Sequence, residues 1–570
     1  MRNSEIATIL YEVADLLELK GIAFKPNAYR KAARSIEEMK QDLEEYRRTA
    51  NLQDIPGVGE AIAKKVEELL DTGRLRYLDE LMEDLPTGLL QLMDVPDIGP
   101  KTAMHLYKEL RVTNLDELKA AAASHQIREL KGFGPKSEER ILQGIAVLER
   151  RSGRMLLGQA HPIAERLRSY VKEGAGLRLI SLGGSLRRMK ETIGDIDLLA
   201  GSESPDVVMD VFSSYPDVEE VLERGPTKSV VRLKDGTQVD LRVVREREYG
   251  AALQYFTGNK EHNVVLRSLA SDKGMKLNEY GLFRKETNEV VASEREEDIY
   301  HALGLEMMPP ELRENRGEIE ASRKGLLPEL VELSDIKGDF HAHTLASDGS
   351  ATIEEMAFAA KRKGYEYLGI TDHSQSLKVA NGLSIERLRG NMDIARSISE
   401  RVEGVKVLIG AEVEILGDGK LDYPDDVLEE LDYVIGAVHT KFSMSEGEMT
   451  DRLLTALSNE HLTILAHPTG RVLEQREPYA FDMEKVLRAA RDNDACLELN
   501  ARPERLDLGD LNCMRAREMG VRMAIGTDAH SVPQLDYMLY GVATARRGWL
   551  GAKDVLNCLS LADLVDLLRR

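Results

Sequence analysis

The sequence predicts a multidomain chain with a helical N-terminal region, a mixed α/β middle and a C-terminal barrel of βα units. Three observations carry this. The chain has 570 residues, too long for a single core. A glycine-containing turn-and-helix pattern recurs before residue 140. Beyond residue 336, apolar strand-like runs alternate with helical ones, the order that parallel strands and their crossovers require.

Composition narrows the class. The chain is 42% hydrophobic and 31% charged, which suits a soluble globular protein. No stretch approaches the roughly 20 apolar residues of a membrane span. The opening MRNSEIATILYEVADLLELKG reads as an amphipathic helix and not as a leader. Cys496, Cys513 and Cys558 form no CxxC pair, which argues against a disulfide framework or a thiolate zinc site and suits a reducing cytoplasm. The formal net charge of −22 weighs against a chain-wide nucleic-acid surface. Carboxylates that hold cations count as negative in that sum, however.

Residues 55–63 (IPGVGEAIA), 95–103 (VPDIGPKTA) and 130–138 (LKGFGPKSE) share a pattern: an apolar residue, a Gly-x-Gly or x-Gly-Pro turn, then a helix. Glycine permits the tight turn, and the helix opens with free backbone N–H groups. Such a hairpin sets donors against one phosphate without reading a base. Plain helix connectors with glycine caps are the alternative, and three copies in succession weigh against it. Ahead of them, 24–39 (FKPNAYRKAARSIEEM) is a helix that gathers Lys25, Tyr29, Arg30, Lys31 and Arg34 as a phosphate rail.

From about residue 155 strands take over. Residues 177–201 (LRLISLGGSLRRMKETIGDIDLLAG) read as a strand, a Gly-Gly-Ser turn, and a strand bearing Asp195 and Asp197. Residues i and i+2 of a strand share a face. Two carboxylates so placed repel unless cations lie between them. TQVDLRVV (237–244) adds Asp240 from another strand, which makes an oxygen-rich site for two Mg²⁺ or Mn²⁺ ions. Gly184 and Ser185 suit a terminal phosphate, and Arg188 its charge. Residues 251–283 read as strand or turn, helix, turn, with Tyr255, Phe256, Asn263 and Arg267 along one wall of a nucleotide pocket, or with the aromatics in an ordinary core.

Over about residues 1–315 these motifs resemble the family X DNA polymerases, and GGSLRRMKETIGDIDLL is similar to their nucleotidyltransferase signature. The resemblance implies a helical lyase-like DNA-binding domain (1–85), a helix-hairpin-helix fingers domain (86–150), a nucleotidyltransferase palm (151–255) and a thumb that selects the nucleotide (256–315). It implies that Asp195, Asp197 and Asp240 hold the catalytic metals, and that Gly184, Ser185, Arg188 and Gly194 face the triphosphate. Tyr255, Phe256, Gly258 and Asn263 then meet sugar and base, with Arg267 beside the template. Gly57, Gly59, Gly99 and Lys101 fall in the DNA clamps, and Lys25, Tyr29 and Arg30 beside them. GVGEAIAKKVEELL resembles the segment bearing the family's Schiff-base lysine, here Lys65. Ala61 stands where animal members carry a second lysine, and Gln238 where the family often has arginine.

Residues 316–335 are charged and aperiodic and read as a linker. In the βα region that follows, functional residues are expected at strand C-terminal ends. Those ends carry His341, His343, His373, Glu412, His439, His467, Asp528 and His530, with Asp348 a short loop after the first strand. Of the seven histidines beyond residue 315, only His461 lies elsewhere. Such a cluster suits phosphoester hydrolysis, because cations acidify water and absorb phosphate charge.

HAHTLASDG, TDHS, GAEVEI, GAVHT, AHPTG and GTDAH, in that order, resemble a polymerase and histidinol phosphatase (PHP) domain over 336–570. The resemblance implies a distorted (β/α)7 barrel with three divalent metals. His341, His343, Glu412 and Asp528 would hold one; Glu412, His439 and His467 a second; Asp348, His373 and His530 the third. The ligands admit Mn²⁺, Zn²⁺ or Fe²⁺. Arg471, after AHPTG, is a candidate phosphate contact. The implied activity is a 3′→5′ exonuclease, with abasic-site endonuclease and 3′-phosphatase as further options. Expected partners are gapped or primer-template DNA with a 5′-phosphate, and dNTPs, for a cytoplasmic monomer in repair. The alternatives are a small-molecule phosphatase or a metal-stabilised scaffold in the C-terminal half.

Overall fold

Three equivalent turns organise the N-terminal residues. Val58 N donates to Ile55 O, Ile98 N to Val95 O and Phe133 N to Leu130 O, each at 3.0 Å. Each turn leads into a helix: Glu60–Thr72, Pro100–Leu110 and Pro135–Arg151. The helices close their first turn on the carbonyls of Gly59, Gly99 and Gly134. The repeat is therefore apolar, any, Gly or Asp, apolar, Gly. Gly57 and Gly132 take φ of 85° and 95°, the left-handed region the third position requires. The matching residue of the second repeat lies at 97, outside the described residues. Ile55, Val58, Val95 and Ile98 are buried in one helical core with Ile6, Leu10 and Leu17 of Asn3–Leu19.

In this computed structural model the described residues are 3–568, apart from 21, 23–24, 38, 40–42, 83–88, 94, 96–97 and 152–153. They form two compact units, Met1–Ser152 and Gly153–Arg570. Among them, no helix is long and apolar enough to cross a membrane.

The second unit begins with a five-stranded mixed sheet. Its spatial order is Val218–Arg224, Lys228–Leu233, Gln238–Val244, Ile196–Gly201, Leu179–Leu182. Leu157, Ala160, Ala164, Leu167 and Val171 form the buried stripe of the helix Leu157–Gly174, in one core with the sheet. Gly-Gly-Ser, expected as a turn, opens a single helical turn, Gly184–Arg187, capped by Gly183. The stretch expected as strand or turn around 251 is instead a helix, Tyr249–Thr257, buried on nearly every side. Its unbroken apolar run carries no period that separates strand from helix. A second helix, Lys260–Asp272, and the hairpin Met275–Asn278 with Gly281–Arg284 follow.

The expected linker 316–335 is structured. Glu318–Arg323 is a helix, with Glu318 fully buried against His262 Nδ1 at 2.6 Å. Further on, Val331 N donates to Leu550 O at 3.0 Å. The charge that reads as a solvated segment is in part an internal ion-pair partner.

The C-terminal strands are all parallel and form two sheets. Gly338–Asp339, Tyr367–Ile370 and Lys406–Ile409 make the first; Glu412–Glu414, Val434–Ala437, Leu462–Leu465, Cys496–Asn500 and Met523–Gly526 make the second. Parallel bridges Ala342–Ala529 and His373–Glu412 join them. The core strands are buried on both faces, as helix-covered parallel sheets are.

Candidate functional site

Two acidic constellations lie in the second unit. In the first, Ile196–Gly201 and Gln238–Val244 run parallel and set Asp197 directly opposite Asp240. Asp195 sits in the bend just before the strand and is exposed, so the expected in-strand pair is a bend residue and a strand residue. Burial first, then Asp195 and Asp240, push Asp197 up to about 7. Lys228 Nζ lies 3.3 Å from Asp240 Oδ2, and Gln238 Nε2 donates to Asp240 Oδ1 at 2.9 Å. Gly184, at φ 56°, passes so close that an added Cβ would stand 2.0 Å from Asp197 Oδ2. Only glycine brings the Gly-Gly-Ser backbone against the acidic centre.

The other nucleotide-site candidates divide. Ser185 belongs to the turn Gly184–Arg187 beside Asp197, and Arg154 packs against Gly194. Tyr255 and Phe256 meet edge to face at 5.1 Å, and Arg242 covers Phe256 at 4.9 Å. Arg267 is exposed on its helix. Arg188, expected on a triphosphate, is 8% exposed; it donates to Glu314 Oε1 at 2.9 Å and to Thr257 O at 2.8 Å. Asn263, expected on a base, stitches its own loop: Nδ2 donates to Tyr255 O and Gly258 O, and Oδ1 accepts from Gln254. Gly258 has no room for a Cβ beside Asn263 Oδ1, 2.7 Å away.

In the N-terminal unit, Lys65 Nζ sits 4.4 Å over the Tyr77 ring and donates to Ala61 O at 3.3 Å. Burial, then Lys25, lower its pKa. The phosphate rail is shorter than expected. Tyr29 is buried and stacks on Tyr77, and Arg30 is paired with Asp15 and Glu18 at 2.7 and 2.6 Å. Lys25, Lys31 and Arg34 remain exposed on that helix. Gly59 and Gly99 cap their helices in extended conformation without a side-chain cap, and Lys101 is exposed just beyond Gly99.

The second constellation gathers all nine expected ligands. Eight of the nine residues (His341, His343, His373, Glu412, His439, His467, Asp528, His530) lie within four residues beyond strand ends, and Glu412 also starts its own short strand. Glu412 is central: Oε1 lies 2.9 Å from His467 and 3.2 Å from His439; Oε2 lies 2.8, 3.4 and 3.5 Å from His373, His341 and His343. Asp528 Oδ1 is 3.3 Å from His343 Nε2, and Asp348 Oδ1 is 3.4 and 3.6 Å from His530 and His373. The groups close enough to share an ion are His341–His343–Asp528, His373–Glu412–His439 and His343–Asp348–His373–His530. This departs from the expected partition: His343 and His373 each stand at a junction between two groups.

Buried atoms without partners support cation binding. Among the described residues, His343 Nδ1 and His467 Nδ1 are buried with no hydrogen bond, and His373 Nδ1 and Glu412 Oε2 stand 2.8 Å apart without hydrogen-bond geometry. His341 Nδ1 donates to Glu498 at 2.6 Å, and its Nε2 lies 3.1 Å from His343 Nε2. Burial draws His373 down, but Glu412 and Asp348 lift it to about 10. Burial lowers His341 too, and Glu498 and Glu412 raise it well above the usual range. Burial raises Glu412, and His373, His439 and His341 pull it well below. His343, buried beside His530 and His373, falls to about 4. Two of the expected ligands, His467 and Asp528, hold φ of 27° and 52°, strain that the surrounding fold must sustain.

The residues that orient the ligands escaped the sequence reading. Glu498 also accepts from His467 N and Asn500 Nδ2. Glu414 accepts from His439 Nδ1 at 2.9 Å and from Thr440 Oγ1 at 2.7 Å. Asp372 takes Thr344, Ser347 and Asn391, which fixes the loop before Asp348. The available signal was a carboxylate inside an otherwise apolar strand, as in CLELN and GAEVEI. Arg471 turns away from the ligands: it bonds Arg505 O, Leu506 O and the Glu191 carboxylate. Arg505 is the arginine at the centre, with Nε 3.6 Å from Asp528 Oδ2 and Nη1 buried without a partner.

Comparison with known proteins covers most of the chain. Family models match a helix-hairpin-helix domain at 1–75, a SAM-like helix-hairpin-helix tandem at 89–146, a DNA polymerase beta thumb at 252–314 and a PHP domain at 339–502. The chain is 39% identical, over the full length of both, to the "DNA polymerase/3'-5' exonuclease PolX" of Bacillus subtilis. Over 34% of its length it is 35% identical to 75% of a probable phosphatase of Caldanaerobacter subterraneus. Over 55% of its length it is 27% identical to 56% of DNA polymerase lambda of Rattus norvegicus.

Two outcomes follow from this geometry. A histidine held near 10 must lose its proton to bind a cation, so metal uptake releases protons and weakens as pH falls. Calorimetric Mn²⁺ titration at pH 8 in buffers of different ionisation enthalpy measures this; heats independent of buffer would contradict it. Glu498→Gln removes the charge that orients His341, and bound metal after dialysis then reflects an affinity about 10–100-fold weaker.

Proposed function

The chain belongs to family X of the DNA polymerases, in the branch that carries a PHP domain, and we propose that it fills short gaps in DNA and trims DNA 3′ ends in a second, hydrolytic centre. The observation that carries this is the pair of clusters: Asp197 faces Asp240 beside Asp195, and eight of the nine expected ligands fall into three groups able to share an ion, with His467 2.9 Å from Glu412.

In the first centre, Asp195, Asp197 and Asp240 hold two Mg²⁺ or Mn²⁺ ions, whose charge relieves the repulsion that raises Asp197. When bound, these ions activate the primer 3′-hydroxyl and neutralise the departing pyrophosphate. The primer 3′-oxygen bonds to the α-phosphorus of the dNTP, the bond to the β-phosphate oxygen breaks, and pyrophosphate leaves. Gly184 and Ser185 present the backbone and hydroxyl to the terminal phosphates. Tyr255, Phe256 and Gly258 shape the sugar pocket. Lys25 and the three hairpins hold the DNA backbone. Burial and Lys25 favour the neutral amine of Lys65, which suits a Schiff base with an abasic sugar.

We read the C-terminal strands as a distorted barrel of seven staves, with Lys406–Ile409 and Glu412–Glu414 as one broken stave and the Ala342–Ala529 bridge as the closure. His341, His343, Asp348, His373, Glu412, His439, His467, Asp528 and His530 hold three divalent cations, of the Mn²⁺, Zn²⁺ or Fe²⁺ type. When bound, they acidify water and absorb phosphate charge. Water oxygen bonds to the terminal phosphorus, the bond to the preceding 3′-oxygen breaks, and a nucleoside monophosphate leaves. Arg505, and not Arg471, is the arginine suited to the phosphate.

The likeness of this half to a probable phosphatase favours a second reading, a hydrolase of small phosphate esters. One gapped substrate with a 5′-labelled primer separates the readings. Asp195→Ala with Asp197→Ala lowers incorporation by at least about 10³-fold and leaves primer shortening intact; His341→Ala with His343→Ala does the reverse. Faster turnover of a small ester than of DNA would favour the second reading. Arg505→Ala slows shortening about 10–100-fold through loss of charged hydrogen bonds, whereas an equal loss in Arg471→Ala would reverse that assignment.

A further inference from the structure

Arg547 ends the helix Met538–Arg547, far along the chain from the nucleotide site, yet its guanidinium serves that site. It is 4% exposed. Nη1 donates to the backbone carbonyl of Arg188 at 2.7 Å and to Glu314 Oε1 at 3.0 Å; Nη2 donates to Asp510 Oδ2 at 2.7 Å. Arg188 shares the same Glu314 oxygen and anchors Thr257 O. The other Glu314 oxygen accepts from Asn259 Nδ2 at 3.2 Å, and Arg316 Nη1 lies 3.0 Å from Asp510 Oδ2. Three arginines and two carboxylates thus tie residues 188, 257–259 and 314 to 510 and 547. Thr257 is the third residue of YFTG, the segment that shapes the nucleotide pocket. A planar guanidinium engages partners at both ends, and a buried charge does not shift without abandoning them.

We propose that Arg547 is a positioning residue for nucleotide addition. By pinning Arg188 and Glu314, it holds residues 255–258 in place, so the hydrolase half of the chain is a working part of the polymerase pocket. The inference rests on the polymerase reading above. It also accounts for the Arg188 guanidinium being bonded to Glu314 and Thr257 O, where its charge supports the pocket wall.

The test uses the full-length chain with gapped DNA and Mg²⁺, measuring dNTP KM and kcat separately, with primer shortening in Mn²⁺ alongside. Arg547→Met keeps an unbranched apolar stem, two atoms shorter, and removes both bonded ends. The expected result is a loss of about 10–100-fold in kcat/KM for dNTP, mostly in KM, with shortening within about twofold of wild type. Arg547→Lys, which keeps the charge but not the fork, recovers part of the loss. Combining Arg547→Met with Glu314→Gln costs less than the two single effects together, because both cut the same tie. Unchanged dNTP kinetics in Arg547→Met, strict additivity with Glu314→Gln, or equal loss of incorporation and shortening would each overturn the proposal. Absence of incorporation by the wild type would instead remove the polymerase reading on which it rests.

Discussion

One buried carboxylate organises the C-terminal half. Five imidazole nitrogens approach Glu412 within 3.5 Å, and they arrive from four separate segments of the chain. Their hydrogen bonds do not satisfy every group: two imidazole nitrogens meet at 3.1 Å, and His343 Nδ1 and His467 Nδ1 are buried without a hydrogen bond. Such an arrangement costs several kcal/mol per unpaired charge in a dry interior. Cations remove that cost, so the strand ends, loop conformations and outer carboxylates Glu498 and Glu414 are best understood as support for a metal cage.

The first centre obeys the same constraint with fewer groups. Asp197 is pressed against Asp240 in register and lifted toward neutrality by burial and by its neighbours. The backbone of Gly184 closes over it without a side chain. In both centres the protein stores electrostatic repulsion where a divalent ion is to sit. One cluster offers carboxylate oxygens alone, and the other mixes imidazole with carboxylate, a difference that on the proposed reading would separate their metal preferences.

The two centres are not independent lobes on a flexible tether. Leu506 and Tyr540 of the C-terminal half are buried in the core of the five-stranded sheet. Arg471 reaches Glu191, and Arg547 reaches Glu314 and the carbonyl of Arg188. Arg505, one residue before Leu506, lies at the hydrolytic centre. A short segment, 502–507, therefore sets Arg505 beside Asp528 and Leu506 in the core of the five-stranded sheet.

Much of this was legible in the residues. Repetition exposed the hairpins, because a tight turn before a helix restricts residue type at fixed spacing. Alternating strand and helix periods exposed the parallel sheets, and histidines at successive strand ends exposed the cluster of imidazoles and carboxylates. These are local properties, and local sterics and hydrogen bonding write them into short stretches. What folding alone decided was which charge meets which. Arg188 went to Glu314, Arg30 to Asp15 and Glu18, and Arg471 to Glu191, while Arg505 took the place at the cage. The apparent linker became a packed segment through Glu318 and His262. A charged side chain carries no mark of its partner in sequence, because pairing depends on which surfaces the completed fold brings together and dries.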